Sequence, residues 1–398
     1  MIPYARQDIL QEDIDQVVSV LTSDFLTQGP QVPAFEGTVA DYCDVQHAVA
    51  VNSATSALHI ACLALGVGAG DEVWTSAITF VASANCARYC GADVDFVDID
   101  CRTFNLCADA LRKKLEDRKR SGGRLPKVVI PVHMCGQSCD MWSIKNLSLQ
   151  YGFSIIEDAS HAIGGRYHSH RIGSCSFSDI TVFSFHPVKI VTTAEGGMAT
   201  TNNKDLAQKM SLYRAHGVTR DSTQFAEVPN LCFYQQLELG YNYRLTDIQA
   251  ALGRSQMSRL DSLISRRHTL ADNYDRAFAN LPVICPARQP KTFSSFHLYV
   301  LLLDDSIRHA QRQIYASMVE QGIGVNIHYM PVHLQPYYRN LGFSVGDFPV
   351  AEDYHSRTIT LPLFPALSSG DQRKVIDALI RSIATLQYES AQLKTGTG

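Results

Sequence analysis

The stretch Ile155-Ile156-Glu157-Asp158-Ala159-Ser160-His161 is a short apolar run that ends in two acids. A buried strand with that ending puts a carboxylate at the C-terminal edge of a sheet, where open α/β folds bind their ligands. The chain on either side repeats the apolar run. Ala48–Val51, Glu72–Thr75, Val94–Ile99, Lys127–His133, Phe153–Glu157, Ile180–Phe185 and Gly197–Thr201 read as strands, and helical or loop segments separate nearly all of them. Short apolar strands interleaved with helices predict a largely parallel sheet covered on both faces.

The 398 residues allow two or three domains with a sizeable core. The pattern changes near Asn242–Leu252. A long helical stretch over Thr246–Ala279 leads to strands at Leu298–Leu303 and Ile323–Ile327, and then to a closing helix in which Val375, Leu379 and Ile383 recur at four-residue steps. The expectation is an α/β domain over 1–250 and a smaller α+β domain over 251–398, with Gln392–Gly398 as a frayed tail. At the other end Ile14, Val17, Val18 and Leu21 mark one face of an opening helix.

Lys+Arg 35 against Asp+Glu 39 leaves a net charge of −4, which argues against a nucleic-acid or membrane-surface partner. No apolar run approaches the roughly 18 residues a bilayer needs. The start, Met1-Ile2-Pro3-Tyr4, lacks a basic region followed by an apolar core, so the expectation is a cytoplasmic protein without a signal peptide. Eleven cysteines without a C-x-x-C pair read as structural thiols, and no metal site is expected.

Two further segments carry chemistry. Asn52-Ser53-Ala54-Thr55-Ser56 follows a strand and opens a helix. Free backbone N–H groups, the helix dipole and hydroxyls make such a start an anion site, although plain N-capping would choose the same residues. Phe183-Ser184-Phe185-His186-Pro187-Val188-Lys189 puts Ser184 and His186 on one strand face and drops Lys189 into a loop before Glu195-Gly196-Gly197. A phosphate cup, a carboxylate for a pyridine nitrogen, an aromatic face and an amine are what pyridoxal 5'-phosphate requires. A lysine with an ordinary pKa of about 10.4 must be brought down to act as a base near neutrality.

With Leu26-Thr27-Gln28-Gly29-Pro30 and Gly240-Tyr241-Asn242-Tyr243-Arg244-Leu245-Thr246-Asp247 added, the ordered motifs resemble those of the DegT-type sugar aminotransferases, of the fold-type I pyridoxal phosphate superfamily, over nearly the whole chain. The resemblance implies an aspartate aminotransferase-like fold. It implies that Lys189 joins the cofactor and moves the proton, and that Asp158 pairs with the pyridine nitrogen. Phe80 would stack on the ring, Ala54, Thr55, Ser56 and Ser184 would hold the phosphate, and His161 would approach the ring hydroxyl. Asn242 would come from the partner subunit of a homodimer. Because Lys189 is lysine and not the histidine of related dehydratases, the chain looks like a transaminase.

Ile2-Pro3-Tyr4, Asp158–Gly165 and Ser184–Lys189 look like the branch of the family that works in pseudaminic acid biosynthesis. That likeness implies L-glutamate as donor and a UDP-linked 4-keto sugar, UDP-2-acetamido-2,6-dideoxy-beta-L-arabino-hex-4-ulose, as acceptor. The D-configured epimer and other nucleotide-linked keto sugars are the alternatives. His186, Arg244, His328 and Tyr329 are the expected substrate-binding residues. Ala194 stands where the family pattern leads one to expect glycine, a change that reads as harmless.

Overall fold

A computed structural model describes residues 1–225 and 234–395. Seven strands form the central sheet, in the spatial order His47–Val51, Gly197–Thr201, Ile180–Ser184, Ser154–Asp158, Val128–Ile130, Glu72–Ser76, Asp93–Val97. From Ile180–Ser184 to Asp93–Val97 every neighbouring pair is parallel. Gly197–Thr201 runs antiparallel to both of its neighbours. The loop 185–196 that precedes it holds no helix, so the chain turns back instead of crossing over. Helices Ala54–Ala64, Ala82–Tyr89, Ala108–Arg120 and Met141–Tyr151 fill four of the other connections.

Side chains alternate across the strands, so each strand feeds two cores. Val128 and Ile130 join one apolar cluster while Val129 joins the opposite one. Val182 and Phe183 divide in the same way. Both faces are therefore covered, which is why these strands read as continuous apolar runs instead of alternating ones.

A second sheet pairs Val283–Ile284, Tyr299–Leu303 and Thr358–Leu361 antiparallel. Tyr299, Leu301 and Leu303 pack with helices Leu260–Phe278, Gln311–Glu320 and Ser369–Thr395, whereas Leu298, Val300 and Leu302 pack into the core of the large sheet. One strand thus belongs to both cores. The chain start joins this part of the molecule, since Leu363 N donates to Tyr4 O at 3.0 Å.

Four expectations are corrected. Ile323–Ile327 forms no strand; it makes isolated bridges from Ile323 to Ile2 and from Asn326 to Thr360. Thr246–Ala279 is two helices, Asp247–Met257 and Leu260–Phe278, broken where Arg259 turns to Asp8 and Asp13. The closing helix continues to Thr395, so Gln392–Thr395 is helical, and 396–398 lie outside the described residues. The opening helix forms over Gln11–Leu21, but Ile14, Val18 and Leu21 are exposed, and Asp13 and Val20 are what it buries. Asp13 is drawn inward by Gln256 and Arg259, each at 2.7 Å. No helix among the described residues is long and apolar enough to cross a membrane, and the described cysteines are all free.

Candidate active site

Val51, Ser76, Val97, Ile130, Asp158 and Ser184 end their strands at one edge of the sheet. Gly197 opens its reversed strand there, paired to Val51 on one side and Ser184 on the other. Asn52–Ser56, Phe80, Asp158–His161 and Ser184–Lys189 are collected by this edge because each stands at or just after the end of a strand.

Asn52–Ser56 leaves the edge and enters helix Ala54–Ala64. Ser53 caps it, its hydroxyl accepting from Ser56 N at 3.1 Å. Ser56 Oγ is buried, donates to Asn52 Oδ1 at 2.7 Å and does not line the cavity. Ser53, Ala54 and Thr55 do line it, so the unpaired amides of the first helical turn open onto it. Capping and anion-site readings of this segment therefore both hold, for different residues. Gly197 lies directly beneath: a Cβ there would come within 2.4 Å of Ser53 C and 2.5 Å of Ala54 N. Only glycine lets the strand approach the helix start this closely.

Asp158 is buried at the end of its strand. Its Oδ2 accepts from Ser83 Oγ at 2.6 Å, and its Oδ1 from Ser160 Oγ at 2.6 Å and Ser160 N at 3.1 Å. Thr79 Oγ1 is 2.7 Å from Ser83 Oγ and extends the chain of hydroxyls. Lys189 follows Ser184 through a turn closed by Lys189 N donating to His186 O at 2.9 Å. Burial lowers its pKa to about 8 against the opposing pull of Asp158. That amine is poised to give up its proton near neutral pH.

The opposite wall carries three imidazoles. Burial, reinforced by Lys189 and His328, pushes His161 well below its ordinary pKa, and burial does the same to His297, helped by Lys189 and His161. His328 is brought down to about 4, chiefly by burial and then by Lys189. The rings of His161 and His297 are 4.5 Å apart, and His297 Nδ1 is buried without a hydrogen-bond partner. Phe80, exposed on the loop after strand Glu72–Ser76, and Tyr329 face the cavity with ring centroids 6.3 Å apart.

These groups surround a cavity of about 350 Å³. Ala54, Thr55, Phe80, Asp158, His161, Ser184, His186, Lys189, His328 and Tyr329 all line it. Asn242 and Arg244 do not. They lie beyond the edge strand His47–Val51, with Arg244 bridged to Val51 and Asn242 to Ala215. A wider, open groove of about 610 Å³ near Glu36, His47, Lys204 and Arg220 holds none of the candidate site residues. Ser53, Ser83, Ser160, His297 and Asn326 enter the site without having been named as site residues. Ser53 and Ser160 stand inside the quoted motifs, whereas Ser83 meets Asp158 across 75 residues and leaves no local sign. Ala194 has a φ of 66°, in the left-handed region that favours glycine.

The DegT/DnrJ/EryC1/StrS aminotransferase family matches residues 7–380. The chain is 38% identical over 382 residues to the spore coat polysaccharide biosynthesis protein SpsC of Bacillus subtilis, covering 95% of this chain and 96% of that one. It is 35% identical, with the same coverage, to the UDP-4-amino-4,6-dideoxy-N-acetyl-beta-L-altrosamine transaminase of Campylobacter jejuni. Among solved structures it is similar to Helicobacter pylori PseC, an aminotransferase involved in the biosynthesis of pseudoaminic acid. That match has a TM-score of 0.88 at 31% identity and covers 96% of this chain and 99% of that one. With the sheet, the lysine and the aspartate in place, the chain belongs to the DegT/DnrJ/EryC1/StrS family and is a pyridoxal-phosphate-dependent sugar aminotransferase of fold-type I.

Proposed function

We propose that the enzyme moves the amino group of L-glutamate to C4 of a UDP-linked 4-keto-6-deoxy-N-acetylhexosamine, UDP-2-acetamido-2,6-dideoxy-beta-L-arabino-hex-4-ulose, in pseudaminic acid biosynthesis. The observation that carries the chemistry is Lys189, with its pKa lowered to about 8, in one cavity with the hydroxyl-held carboxylate of Asp158. The choice of sugar is supported by the 35% identity to the Campylobacter transaminase.

The cavity fits the cofactor. The helix start at Ala54 and Thr55, over a glycine that admits no Cβ, suits its phosphate, joined by Ser184. Asp158 suits the pyridine nitrogen and Phe80 the ring face. When bound, pyridoxal phosphate supplies an electron sink that stabilises negative charge on the carbon bearing the nitrogen. Asp158, its oxygens fixed by Ser83 and Ser160, keeps a proton on the pyridine nitrogen and so keeps that sink effective. Lys189 takes the α-proton of the donor and returns a proton to C4 of the acceptor. His161 stays neutral and adds no charge beside Lys189. Asn242 and Arg244, which lie outside this cavity, act in a homodimer, with Asn242 reaching the partner's phosphate site. His186, His328 and Tyr329 contact the substrate.

A half-reaction followed by absorbance tests the reading. Glutamate should convert the holoenzyme to its amino form, and the L-arabino keto sugar should restore the starting spectrum. Restoration only by the D-configured epimer overturns the sugar assignment and leaves the chemistry standing. That epimer, or another nucleotide-linked keto sugar, is the second reading; the 38% identity to a spore coat polysaccharide biosynthesis protein supports only a sugar of a different pathway. Undiminished turnover in Lys189→Ala would sink the mechanism itself.

A further inference from the structure

The turn Met134–Gly136 carries two successive residues in the left-handed region, Cys135 at φ 61° and Gly136 at φ 104°. A Cβ on Gly136 would come within 2.6 Å of Ser295 Oγ and 2.9 Å of His161 O, so the turn is pressed against both segments. Non-glycine residues adopt this conformation at a cost and keep it where the surroundings demand it. Here the result is that Cys135 N–H points at His161 Nδ1, 3.3 Å away.

A backbone amide can only donate, so His161 Nδ1 is the lone-pair nitrogen. Burial keeps the ring neutral. Its one proton therefore sits on Nε2, which lies 3.3 Å from Tyr329 Oη. Tyr329 accepts that hydrogen bond, and its own proton has no acceptor among the described residues. Tyr329 is one of the residues that line the cavity.

We propose that the Cys135 amide, through the tautomer it imposes on His161, makes Tyr329 a one-way hydrogen-bond donor into the cavity, directed at an oxygen of the neutral sugar ring of the acceptor. This rests on the keto-sugar reading above. The wall around Tyr329 suits an uncharged polyhydroxyl ring: Asn326 bears no charge, burial holds His297 and His328 neutral, and Lys189 is the only lysine or arginine among the described lining residues. Cys135 and His161 are positioning groups; Tyr329 is the contact.

The test uses the holoenzyme with glutamate and the 4-keto sugar as substrates. Tyr329→Phe should raise KM for the sugar roughly 3- to 10-fold, the worth of one hydrogen bond, and leave KM for glutamate within about twofold. In His161→Gln the amide oxygen can accept from Cys135 and the amide nitrogen can donate to Tyr329, so sugar KM should rise less than in His161→Leu, whatever either change does to cofactor binding. His161→Leu should reproduce the loss seen in Tyr329→Phe. Equal shifts of both KM values, or none in Tyr329→Phe, would overturn the proposal. Independently of turnover, ¹⁵N-histidine spectra, with the His161 signal identified by its loss in His161→Gln, should show a neutral ring protonated at Nε2. A proton on Nδ1 would overturn it. If wild-type enzyme uses no keto sugar at all, the substrate reading fails, and the tautomer measurement still decides the polarity.

Discussion

Ser83 Oγ lies 2.6 Å from Oδ2 of Asp158. The carboxylate at the end of strand Ser154–Asp158 is thus oriented by helix Ala82–Tyr89, which follows a different strand, Glu72–Ser76. Ser160 holds the other oxygen from within the same loop. With both oxygens held, the carboxylate has one orientation toward the cavity.

Ser83→Ala should therefore loosen the cofactor without unfolding the protein. A hydrogen bond to a charged group contributes about 1.5–3 kcal/mol, so pyridoxal phosphate should dissociate at least tenfold more readily on dialysis, followed by absorbance. Wild-type retention in Ser83→Ala would mean that Ser160 alone orients Asp158.

Gly197→Ala should be far more damaging than an added methyl group suggests. The new Cβ meets Ser53 and Ala54 backbone at 2.4–2.5 Å, and backbone cannot swing aside as a flexible side chain can. Overpacking of this kind costs about 1–3 kcal/mol, and the displaced atoms are those of the helix start. Lower thermal stability together with lost cofactor binding is the expected pair of results. Loss of neither would show that the strand can move away freely.

Ala194→Gly should stabilise the enzyme. The left-handed conformation costs an L-residue about 1–2 kcal/mol, while glycine's greater freedom in the unfolded chain takes back about 0.4–1 kcal/mol. Denaturant unfolding should show a net gain of roughly 0.5–1 kcal/mol. A clear loss would mean that the Ala194 methyl makes contacts worth more than the strain.

Lys189 makes the stability of the cofactor-free protein depend on pH. Its pKa falls from the ordinary 10.5 to about 8, chiefly through burial. Below pH 8 the folded chain bears the whole cost of the buried ammonium. Between pH 8 and 10.5 the folded chain sheds that proton while the unfolded chain still holds it, so stability from this group rises with pH. Lys189→Met should melt higher than wild type at pH 7, and the gap should shrink as pH approaches 10.5. A gap that widens over that range contradicts the sign.

Much of the architecture was legible because it is local. The seven strands of the large sheet announce themselves as short apolar runs, and Asp158, Ser184 and Lys189 sit where strands end, which in this fold class is where ligands bind. Periodicity alone could not say which face of a helix is covered. Ile14, Val18 and Leu21 form a regular stripe, yet Asp13 is the residue turned inward, because Gln256 and Arg259 wait for it nearly 250 positions away.

The sequence by itself determined the order of strands and helices and the family, and it singled out Lys189 and Asp158, which the fold brings into one cavity. Only the tertiary structure decided how those groups are held. The orientation of Asp158 depends on a contact spanning 75 residues, and the polarity of Tyr329 on one spanning 168. Ala194 takes its left-handed conformation in the loop that turns the chain back toward Gly197. Strand and helix patterns are written in neighbouring residues, whereas hydrogen-bond direction and pKa are set by whatever the fold brings within a few ångströms.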